Sequence, residues 1–460
     1  MQLPREFIKL IQSSVDTKNI LTEAADCWPY GYDNSRQQVM PDIVVFATTT
    51  TQVQQIIQHC KTFNIPVVTR GRGTGTTGAT VPVKGGLVLS LERMDRILRI
   101  DPANRYLVAE PGVTNKAIQD AALEYGFFWP PDPTSSAFCT LGGNLAYNSA
   151  GPHAVKYGTP RDNTLGLKAI TGNADVIKTG VCTTKGVVGY DLTRLLIGSE
   201  GTLAVITEAT LKLTPLPETR KIMQLVYRDI DSAAHAVSSI MAQAVTPSSL
   251  ELMDQHAIDM IRDDTNLNLP ENITLLMVEV DGTHASIDHA IQAIQHAANN
   301  DGCLQTRLAN SPEEEQSLWK LRKALSPALR KIAPKKINED VVVPVSNIPP
   351  LLNGLQALSK EYNIPIVNFG HAGNGNIHVN LLTDVDTTET EQRAAQCLEK
   401  VFDLVLSLDG TLSGEHGIGL VKRDFIAREI DPATLQLMRN IKKQFDPEGI
   451  MNPGKMIPGM

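Results

Sequence analysis

The loop Thr69-Arg70-Gly71-Arg72-Gly73-Thr74-Gly75-Thr76-Thr77-Gly78 decides the fold of the first half of the chain. A short apolar strand at 65–68 precedes it, and the loop contains the pattern Gly-x-Gly-x-x-Gly. In a dinucleotide-binding Rossmann fold, a helix begins inside such a loop and points its N-terminus at the diphosphate. Here residues 79–86 follow, with Pro82 and a Gly-Gly pair, so no helix is expected. The sequence predicts a glycine-rich loop between two strands rather than an NAD site.

Such a loop can bind an anion. Glycines let several backbone N–H groups point at one place, and threonine hydroxyls add donors, so a diphosphate is a natural ligand. The alternative is an ordinary long hairpin loop. The segment 133–158 favours ligand binding because it is long, small and rich in hydroxyl groups, notably at 134–136, 140–144 and 148–151. Such a segment suits an extended ligand that lies against the backbone.

Length and composition limit the classes of protein to consider. The chain has 460 residues, which predicts two domains, and its formal net charge of -8 argues against a nucleic-acid partner. The six cysteines include no Cys-x-x-Cys pair, so no iron–sulfur cluster or zinc ribbon is indicated and a cytoplasmic location is expected. No segment approaches the roughly 18 apolar residues of a membrane span, and no signal peptide is recognisable.

The hydrophobic pattern predicts the organisation of both halves. Near the N-terminus, Leu3, Phe7, Ile8, Ile11 and Val15 form one face of a short helix. This helix is expected to pack onto the protein, with contact to a membrane surface as the alternative. The first half ends at a proline-containing linker, 214–217. The second half alternates strands with helices, which predicts an α+β domain with helices on one face of an antiparallel sheet. The predicted strands are 221–227, 273–280, 303–308, 337–343, 364–368 and 376–382, and the predicted helices are 284–299, 312–332, 347–362 and 387–407.

Two glycine-punctuated segments of the second half carry the chemistry. One is Gly370-His371-Ala372-Gly373-Asn374-Gly375-Asn376-Ile377-His378, and the other is Gly414-Glu415-His416-Gly417. Two histidines and a glutamate suit a divalent metal such as zinc or manganese, although a lone histidine is more often a hydrogen-bonded structural residue. His416 adds an acid or base beside the carboxylate. The pattern indicates a site that acts on an oxygen function.

These motifs, together with Glu110-Pro111-Gly112 and Gly198-Ser199-Glu200-Gly201-Thr202-Leu203, resemble those of the FAD-linked oxidases of the vanillyl-alcohol-oxidase or PCMH type. The whole set resembles the flavin-dependent D-2-hydroxyacid dehydrogenases, which include D-lactate dehydrogenase, D-2-hydroxyglutarate dehydrogenase and the flavin subunit of glycolate oxidase. The resemblance runs from Pro41 to Asn452-Pro453-Gly454-Lys455. It implies a PCMH-type FAD domain at 1–216, an FAD-linked oxidase C-terminal (cap) domain at 217–445, and a segment at 446–460 that returns to the FAD domain.

The resemblance also implies the cofactor and the residues that line it. The first loop contains no histidine or cysteine, and neither Cys139 nor His153 matches an attachment motif, so FAD is expected to be held without a covalent bond. The residues implied to hold FAD are Arg72, Gly73, Thr74, Gly75, Thr76, Thr77, Pro111, Gly112, Ser135, Thr140, Gly143, Asn144, Ser149, Gly151, Tyr157, Glu200, Gly201, Ile206 and Asn452.

The active-site roles come from the same resemblance. His371, His378 and Glu415 are implied as ligands of a divalent metal, zinc or manganese, and His416 as the general base. Arg322 is implied to bind the substrate carboxylate; without the resemblance, an arginine on an amphipathic helix would be read as solvated surface. Lys336, Asn338 and Asn380 are candidates for the same pocket. Side-chain alternation supports this assignment, because His378 and Asn380 share one face of their strand.

The implied reaction is oxidation of a D-2-hydroxy acid, resembling D-lactate or D-2-hydroxyglutarate, to the 2-oxo acid by hydride transfer to FAD. Electrons would pass to an external acceptor: a quinone, a cytochrome, an electron-transfer flavoprotein or a partner subunit. A homodimer and a peripheral position at the membrane are both compatible with this interpretation. One alternative is the flavin subunit of a glycolate-oxidase-type complex. Another is a flavin-binding subunit without catalysis.

Overall fold

A computed structural model describes residues 3–265, 269–332, 335–383 and 387–459. The helices within these ranges are α1 (Arg5–Ser14), α2 (Ala24–Cys27), α3 (Thr50–Phe63), α4 (Asn115–Leu123), α5 (Leu141–Tyr147), α6 (Ala154–Tyr157), α7 (Leu192–Leu196), α8 (Ile230–Ala242), α9 (Gln255–Thr265), α10 (Ile287–Ala298), α11 (Pro312–Ile332), α12 (Ile348–Tyr362), α13 (Thr388–Ser407), α14 (Ile426–Glu429) and α15 (Pro432–Phe445). The strands are β1 (Ile20–Leu21), β2 (Ile43–Phe46), β3 (Val67–Arg70), β4 (Leu87–Ser90), β5 (Ile97–Asp101), β6 (Tyr106–Ala109), β7 (Phe127–Phe128), β8 (Thr164–Thr171), β9 (Val176–Gly180), β10 (Ala204–Lys212), β11 (Thr214–Pro215), β12 (Thr219–Tyr227), β13 (Ser249–Met253), β14 (Thr274–Gly282), β15 (Cys303–Leu308), β16 (Lys335–Val342), β17 (Ile366–His371) and β18 (Asn376–Thr383).

The chain forms two compact units that do not follow one another simply along the sequence. Unit 1 contains the residues up to Ala150, Gly158–Leu216 and the residues from Glu415 onward; unit 2 contains Gly151–Tyr157 and Pro217–Gly414. The C-terminal part of unit 1 begins at Glu415. The sequence had placed the segment that returns to the FAD domain at 446–460. Ile441 and Phe445 of α15 lie against an apolar core of unit 1.

The first sheet of unit 1 is buried on both faces. Its strand order is β1-β2-β4-β3, and β2, β4 and β3 run parallel to one another. Ile43 and Val45 of β2 belong to one core cluster, while Val44 and Phe46 belong to the cluster on the opposite face. Continuous apolar strands of this kind are typical of parallel sheets with both faces covered.

Helix α1 packs onto this sheet layer through its apolar face. Phe7 and Ile11 are fully buried in the cluster that contains Val53 and Ile56 of α3. The ring of Phe7 also meets that of Phe63 edge to face at 5.7 Å. The prediction that the N-terminal helix packs on the protein is therefore confirmed.

The glycine-rich loop connects β3 to β4 without a helix. All of residues 71–86 are described, and they form turns and bends only. Gly73 and Gly78 have φ values of +65° and +78°, a region that favours glycine. The prediction of a non-Rossmann loop is confirmed. Because β3 and β4 pair in parallel, the alternative of a hairpin loop is excluded.

A second sheet completes unit 1. It has five antiparallel strands in the order β5-β6-β10-β8-β9, and the short strands β7 and β11 pair separately. Its core contains the fully buried Trp129, whose indole Nε1 donates to the carbonyl of Asn163 at 3.0 Å. Helix α5 packs into the same core through Leu141 and Leu145.

Unit 2 is built on one antiparallel sheet of seven strands, in the order β15-β12-β14-β13-β17-β18-β16. The sequence predicted six of these strands and missed β13, which lies at the centre. Helices α9 and α11 cover part of one face through Ile258, Leu321 and Leu325. Tyr227 points to the other face and donates its hydroxyl to the carbonyl of Ala298, at the end of α10. Helices therefore cover both faces, where the sequence had indicated only one.

The predicted helices 284–299, 312–332, 347–362 and 387–407 correspond to α10, α11, α12 and α13. Ser311 caps the start of helix α11: its hydroxyl accepts the N–H of Glu314 at 3.3 Å. The Glu314 carboxylate accepts the N–H of Asn310 at 2.8 Å and closes the cap. In the described part of the chain, no helix is both long enough and apolar enough to cross a membrane.

Candidate active site

Unit 1 contains a cleft beside the glycine-rich loop. The space in and above this cleft that no protein atom occupies, open solvent included, is about 600 Å³. The residues that line it are Thr69, Arg70, Gly71, Ala79, Thr80, Leu91, Pro111, Thr140, Gly142, Gly143, Ala146, Tyr147, Ser199, Glu200, Gly201, Ala204 and Ile206. Six of them were predicted cofactor residues: Pro111, Thr140, Gly143, Glu200, Gly201 and Ile206.

The lining of this cleft is suited to a ligand that lies close to the backbone. The hydroxyl oxygen of Thr69 is buried there and has no hydrogen-bond partner in the described ranges. A Cβ added to Gly143 would have only the Thr140 hydroxyl within 4 Å, at 3.4 Å, so this glycine leaves open space. Gly201 is similarly uncrowded, with Thr69 its nearest neighbour at 3.7 Å. Buried polar groups without a partner are costly, which fits a site completed by a bound molecule.

The other predicted cofactor residues lie outside this lining. Arg72, Gly73, Thr74, Gly75, Thr76 and Thr77 form the loop itself, and Gly112, Ser135, Asn144 and Ser149 also lie in unit 1. Asn452 donates to the carbonyls of Ala79 at 2.9 Å and Glu200 at 2.7 Å, so it fixes the backbone of the cleft. Gly151 and Tyr157 belong to unit 2, where the Tyr157 hydroxyl donates to Asp281 at 2.7 Å. Burial of Tyr157, together with the hydrogen bond to Asp281, raises the pKa of this phenol.

The segment that contains Glu415 and His416 is anchored to the loops of unit 1 by its backbone. Ser149 donates its hydroxyl to the carbonyl of Glu415 at 3.2 Å, and Thr77 donates to the carbonyl of His416 at 3.3 Å. The Glu200 carboxylate accepts the N–H groups of Ile418 at 2.6 Å and Gly419 at 2.7 Å. These bonds connect the predicted base and carboxylate to the predicted cofactor loops within one unit.

Glu200 is an unusual carboxyl group. Burial raises its pKa to about 7, although the N–H groups of Ile418 and Gly419 act in the opposite direction. The group is only 5% exposed. It therefore changes charge near neutral pH, which an ordinary glutamate does not.

In unit 2, the two histidines of the first motif lie side by side on one face of the sheet. His371 ends β17 and His378 lies on β18, where the register pairs it with Phe369. Both side chains are buried, and their ring centroids are 5.4 Å apart in an edge-to-face arrangement. A tight turn makes this hairpin possible: Gly375 has φ +73°, and a Cβ there would lie 1.9 Å from the carbonyl oxygen of Val343.

A third residue of this face, Glu251 on β13, was not predicted. It is 1% exposed and lies opposite His371 in the strand register. Its Oε1 lies 2.6 Å from Nδ1 of His371, and its Oε2 accepts the Nε–H of Arg322 at 2.6 Å. Burial alone would raise the pKa of Glu251, but His371 and Arg322 outweigh it and lower this pKa to about 2. Glu251 is thus an anion that joins two predicted site residues.

Arg322 is not solvated surface. It lies on α11 and is only 7% exposed. Its guanidinium carbon lies 4.9 Å from the ring centroid of Phe369, a cation–π contact that orients the planar group. Glu251 is its only hydrogen-bond partner among the described residues, and it uses only Nε. Among those residues, its two terminal nitrogens have no hydrogen-bond partner.

Three other candidates share this face in the strand register: Lys336, Asn338 and Asn380. Asn338 donates its amide to Oδ1 of Asn380 at 2.5 Å. Asn380 is fully buried and donates in turn to the carbonyls of Val367 and His378, both at 3.2 Å. The amide of Asn380 is therefore bonded to backbone carbonyls of the sheet. Lys336, in contrast, is only half-buried.

Asp340 fixes the end of unit 2 from which the second motif departs. It is fully buried and lies opposite His378 in the register. It accepts the Ser413 hydroxyl at 3.1 Å and the N–H of Gly414 at 2.8 Å. The neighbouring Thr411 pairs with Val342 of β16. Gly414 is the last residue of unit 2, and Glu415 follows it in the chain.

Comparison with known sequences identifies the family. Residues 216–456 match the family described as FAD linked oxidases, C-terminal domain, and residues 41–180 match an FAD binding domain. The chain belongs to the FAD-linked oxidases. It is an FAD-dependent oxidoreductase, and the FAD-binding part of the match includes the glycine-rich loop and much of the cleft in unit 1.

Several named relatives of this FAD-linked oxidase are similar along almost their whole length. Glycolate oxidase subunit GlcD of Bacillus subtilis is 38% identical, over 93% of this chain and 91% of the relative. The mitochondrial D-lactate dehydrogenase [cytochrome] of Arabidopsis thaliana is 34% identical, over 99% of this chain and 81% of the relative. D-2-hydroxyglutarate dehydrogenase of Stutzerimonas stutzeri is 30% identical, over 97% of both.

Solved structures confirm the fold. p-Cresol methylhydroxylase with bound substrate superimposes with a TM-score of 0.80 at 19% identity, over 98% of this chain and 96% of that one. An alkyldihydroxyacetonephosphate synthase gives a TM-score of 0.76 at 18% identity, over 99% of this chain and 86% of that one. The predicted PCMH-type α+β architecture is confirmed.

Proposed function

We propose that this FAD-linked oxidase is a D-2-hydroxyacid dehydrogenase that converts a D-2-hydroxy acid to the 2-oxo acid. The substrate is a small 2-hydroxy acid such as D-lactate, D-2-hydroxyglutarate or the achiral glycolate. The three named relatives support this class because their names concern those acids. Electrons leave to an external acceptor: a quinone, a cytochrome, an electron-transfer flavoprotein or a partner subunit.

One observation carries the proposal: a buried guanidinium and two imidazoles are gathered on one face of the unit 2 sheet. Arg322 presents its terminal nitrogens, and Glu251 connects it to His371, which lies beside His378. A guanidinium recognises a carboxylate by two parallel hydrogen bonds. Imidazole nitrogens next to it suit activation of a hydroxyl on the adjacent carbon. Together these groups match the two functional groups of a 2-hydroxy acid.

A divalent metal fits the donor set. Nδ1 of His371 faces the Glu251 carboxylate, the arrangement in which the other ring nitrogen commonly serves as a metal ligand. We propose His371, His378 and Glu415 as the ligands and zinc or manganese as the ion, which would supply a Lewis acid for the substrate hydroxyl when bound. For FAD, the partnerless Thr69 hydroxyl and the open space at Gly143 and Gly201 fit a bound cofactor.

The side chains of the protein then have distinct roles. Arg322 binds the carboxylate through its terminal nitrogens and fixes the orientation of the acid. His416 accepts the hydroxyl proton on an imidazole nitrogen, the role of general base that histidine fills most often in enzymes. Lys336 and Asn338 are candidates to contact the remainder of the substrate. FAD supplies the two-electron acceptor for the hydride from C2 when it is bound.

The test is anaerobic reduction of the purified, FAD-loaded protein by a panel of D- and L-2-hydroxy acids. Reduction is monitored as the loss of flavin absorbance. Reduction by at least one D-acid, and much slower reduction by its L-enantiomer, is expected. Treatment with a chelator is expected to slow reduction without releasing FAD, and added Zn²⁺ or Mn²⁺ is expected to restore it. Failure of every D-acid to reduce the flavin would refute the dehydrogenase assignment.

A second candidate, the flavin subunit of a glycolate-oxidase-type complex, is favoured by the relative of 38% identity, which is named as such a subunit. Turnover assays with the same panel of acids separate the two candidates. Turnover with an artificial dye by the isolated protein supports a self-sufficient enzyme, and turnover only with partner subunits supports the complex. A flavin-binding subunit without catalysis would show neither.

A further inference from the structure

Both carboxylate oxygens of Glu251 have partners within unit 2. Its two oxygens contact different partners, His371 through Oε1 and Arg322 through Oε2, both at 2.6 Å. The side chain is 1% exposed, on the central strand of the sheet. A buried carboxylate is costly unless both oxygens are bonded to cationic or donor groups. Because burying this charge is unfavourable, we infer that Glu251 has a role that an apolar residue at this position could not fulfil.

At His371, the contact fixes which ring nitrogen carries the hydrogen. An ionised carboxylate can only accept, so Nδ1 of His371 is the donor. In a neutral imidazole with its hydrogen on Nδ1, Nε2 is the nitrogen whose lone pair can bind a metal. The bond also prevents the ring from turning about its axis. Residues that hold a ligating histidine in this way typically change metal affinity about 10- to 100-fold when they are removed.

At Arg322, the same carboxylate occupies one edge of the guanidinium. Glu251 takes Nε, and the ring of Phe369 lies 4.9 Å from the guanidinium carbon. The edge and the plane of the group are therefore both defined. Only the end with two terminal nitrogens is left for a second carboxylate, and that end has the geometry for two parallel hydrogen bonds.

We propose that Glu251 is a positioning residue that orients the metal-ligating nitrogen of His371 and the carboxylate-binding end of Arg322 at the same time. This inference rests on the proposed function. Because one carboxylate holds both groups, loss of Glu251 is expected to weaken metal binding and carboxylate binding together.

The experiment uses the full-length, FAD-loaded protein and the variant Glu251→Gln, which keeps the shape of the side chain and removes its charge. Binding of Zn²⁺ or Mn²⁺ to chelator-treated protein is measured by calorimetry, and binding of pyruvate by its effect on the flavin spectrum, with and without metal. We expect metal affinity to fall about 10- to 100-fold. We also expect pyruvate to bind more weakly to the variant than to the wild type, both with and without metal.

Glu279→Gln is the matched control. Glu279 is also a buried carboxylate of this sheet; it contacts a histidine, with 3.4 Å between its Oε1 and Nε2 of His153, and accepts the indole N–H of Trp319 at 3.3 Å. Its loss is expected to lower stability and leave metal affinity unchanged. Equal metal affinity in the wild type and the Glu251 variant would overturn the proposal.

A measurement on the wild type keeps the proposal testable if the Glu251 variant does not fold. In metal-free protein labelled with ¹⁵N-histidine, the His371 resonance, assigned with His371→Gln, is expected to show the Nδ1–H tautomer. The Nε2–H tautomer would overturn the proposal. Failure of this inference can be told apart from failure of the proposed function. If only this inference fails, D-2-hydroxy acids still reduce the flavin. If the proposed function fails, none of them reduces it.

Discussion

The carboxylate of Glu200 accepts the backbone N–H of Gly419 at 2.7 Å, although the two residues are 219 positions apart in the chain. A second bond, from the N–H of Ile418 at 2.6 Å, holds the same segment. Glu200 also lines the cleft in which we expect FAD. One buried carboxyl group therefore fixes the backbone shortly after His416, the proposed base, and forms part of the wall of the cofactor site.

Because burial raises the pKa of Glu200 from 4.5 to about 7, the FAD-free protein should lose stability as pH rises. The sign follows from linkage: the folded state holds this proton more tightly than the unfolded state. The contribution of Glu200 is therefore fully present below about pH 4.5 and lost as pH passes through about 7. Between pH 5 and 8, the free energy of unfolding of the wild type should fall by about 2–3 kcal/mol relative to Glu200→Gln, measured in urea. A difference that stays constant with pH would contradict this.

Two neighbouring glycines of α5 should separate cofactor binding from stability. Gly143→Ala adds a methyl group where the cleft is open, so we expect unchanged or slightly higher stability of the FAD-free protein and about tenfold weaker FAD binding. Gly142→Ala is the matched comparison, because its Cβ would lie 2.7 Å from Cβ of Pro111. That variant should unfold at a lower urea concentration, because its free energy of unfolding should fall by about 1–3 kcal/mol. Fluorescence titration with FAD and urea denaturation measure both quantities; equal FAD affinity in Gly143→Ala and the wild type would refute the placement of the cofactor.

Much of this architecture could be predicted from local patterns. The proline and paired glycines after Gly78 ruled out a helix, and turns occupy that segment. The alternation around His378 placed its side chain and that of Asn380 on one face, as the register of β17 and β18 shows. Both predictions depend only on backbone geometry within a few residues, which is why the sequence was sufficient.

Glu251 was missed because its role depends on distant parts of the chain. Ser249 and Glu251 alternate with Leu250 and Leu252, a strand signal that could have been recognised. Nothing local, however, shows that this strand lies between β14 and β17, where both of its faces are buried. The burial of Arg322 was unpredictable for the same reason, since the polar side of an amphipathic helix normally faces water. Strand order, which is set by tertiary packing, decides both cases.

Arg322→Lys should weaken binding of the hydroxy acid more than it slows the chemistry. A lysine ammonium has no Nε edge, so it cannot hold Glu251 and present two further donors to a carboxylate. We expect the concentration of D-2-hydroxy acid that half-reduces the flavin to rise about 10- to 100-fold. Arg220→Lys serves as the control, because this exposed side chain lies 3.9 Å from Glu315 and should be replaceable without effect. Identical titrations for Arg322→Lys and the wild type would remove Arg322 from the carboxylate site.

Asp340 offers a test of the turn that leads to Glu415. Its carboxylate accepts the N–H of Gly414 and the hydroxyl of Ser413, so Asp340→Ala removes both bonds and leaves the Gly414 N–H only its longer bond to the backbone carbonyl of residue 340, at 3.3 Å. We expect a loss of about 2–4 kcal/mol in the free energy of unfolding, together with weaker metal binding and slower flavin reduction. Asp340→Asn can keep both bonds, since its oxygen can accept from Gly414 and its amide can donate to Ser413.

The asparagine variant should therefore recover most of the stability, metal affinity and rate that the alanine variant loses. Asp229→Ala provides a control for stability alone: it removes the helix cap formed with the N–H of Ser232 at 2.7 Å and should cost about 1 kcal/mol without changing flavin reduction. If Asp340→Ala is destabilised but reduces its flavin at the wild-type rate, Glu415 does not depend on this turn. If Glu415 is a metal ligand, other contacts would then have to hold it in position.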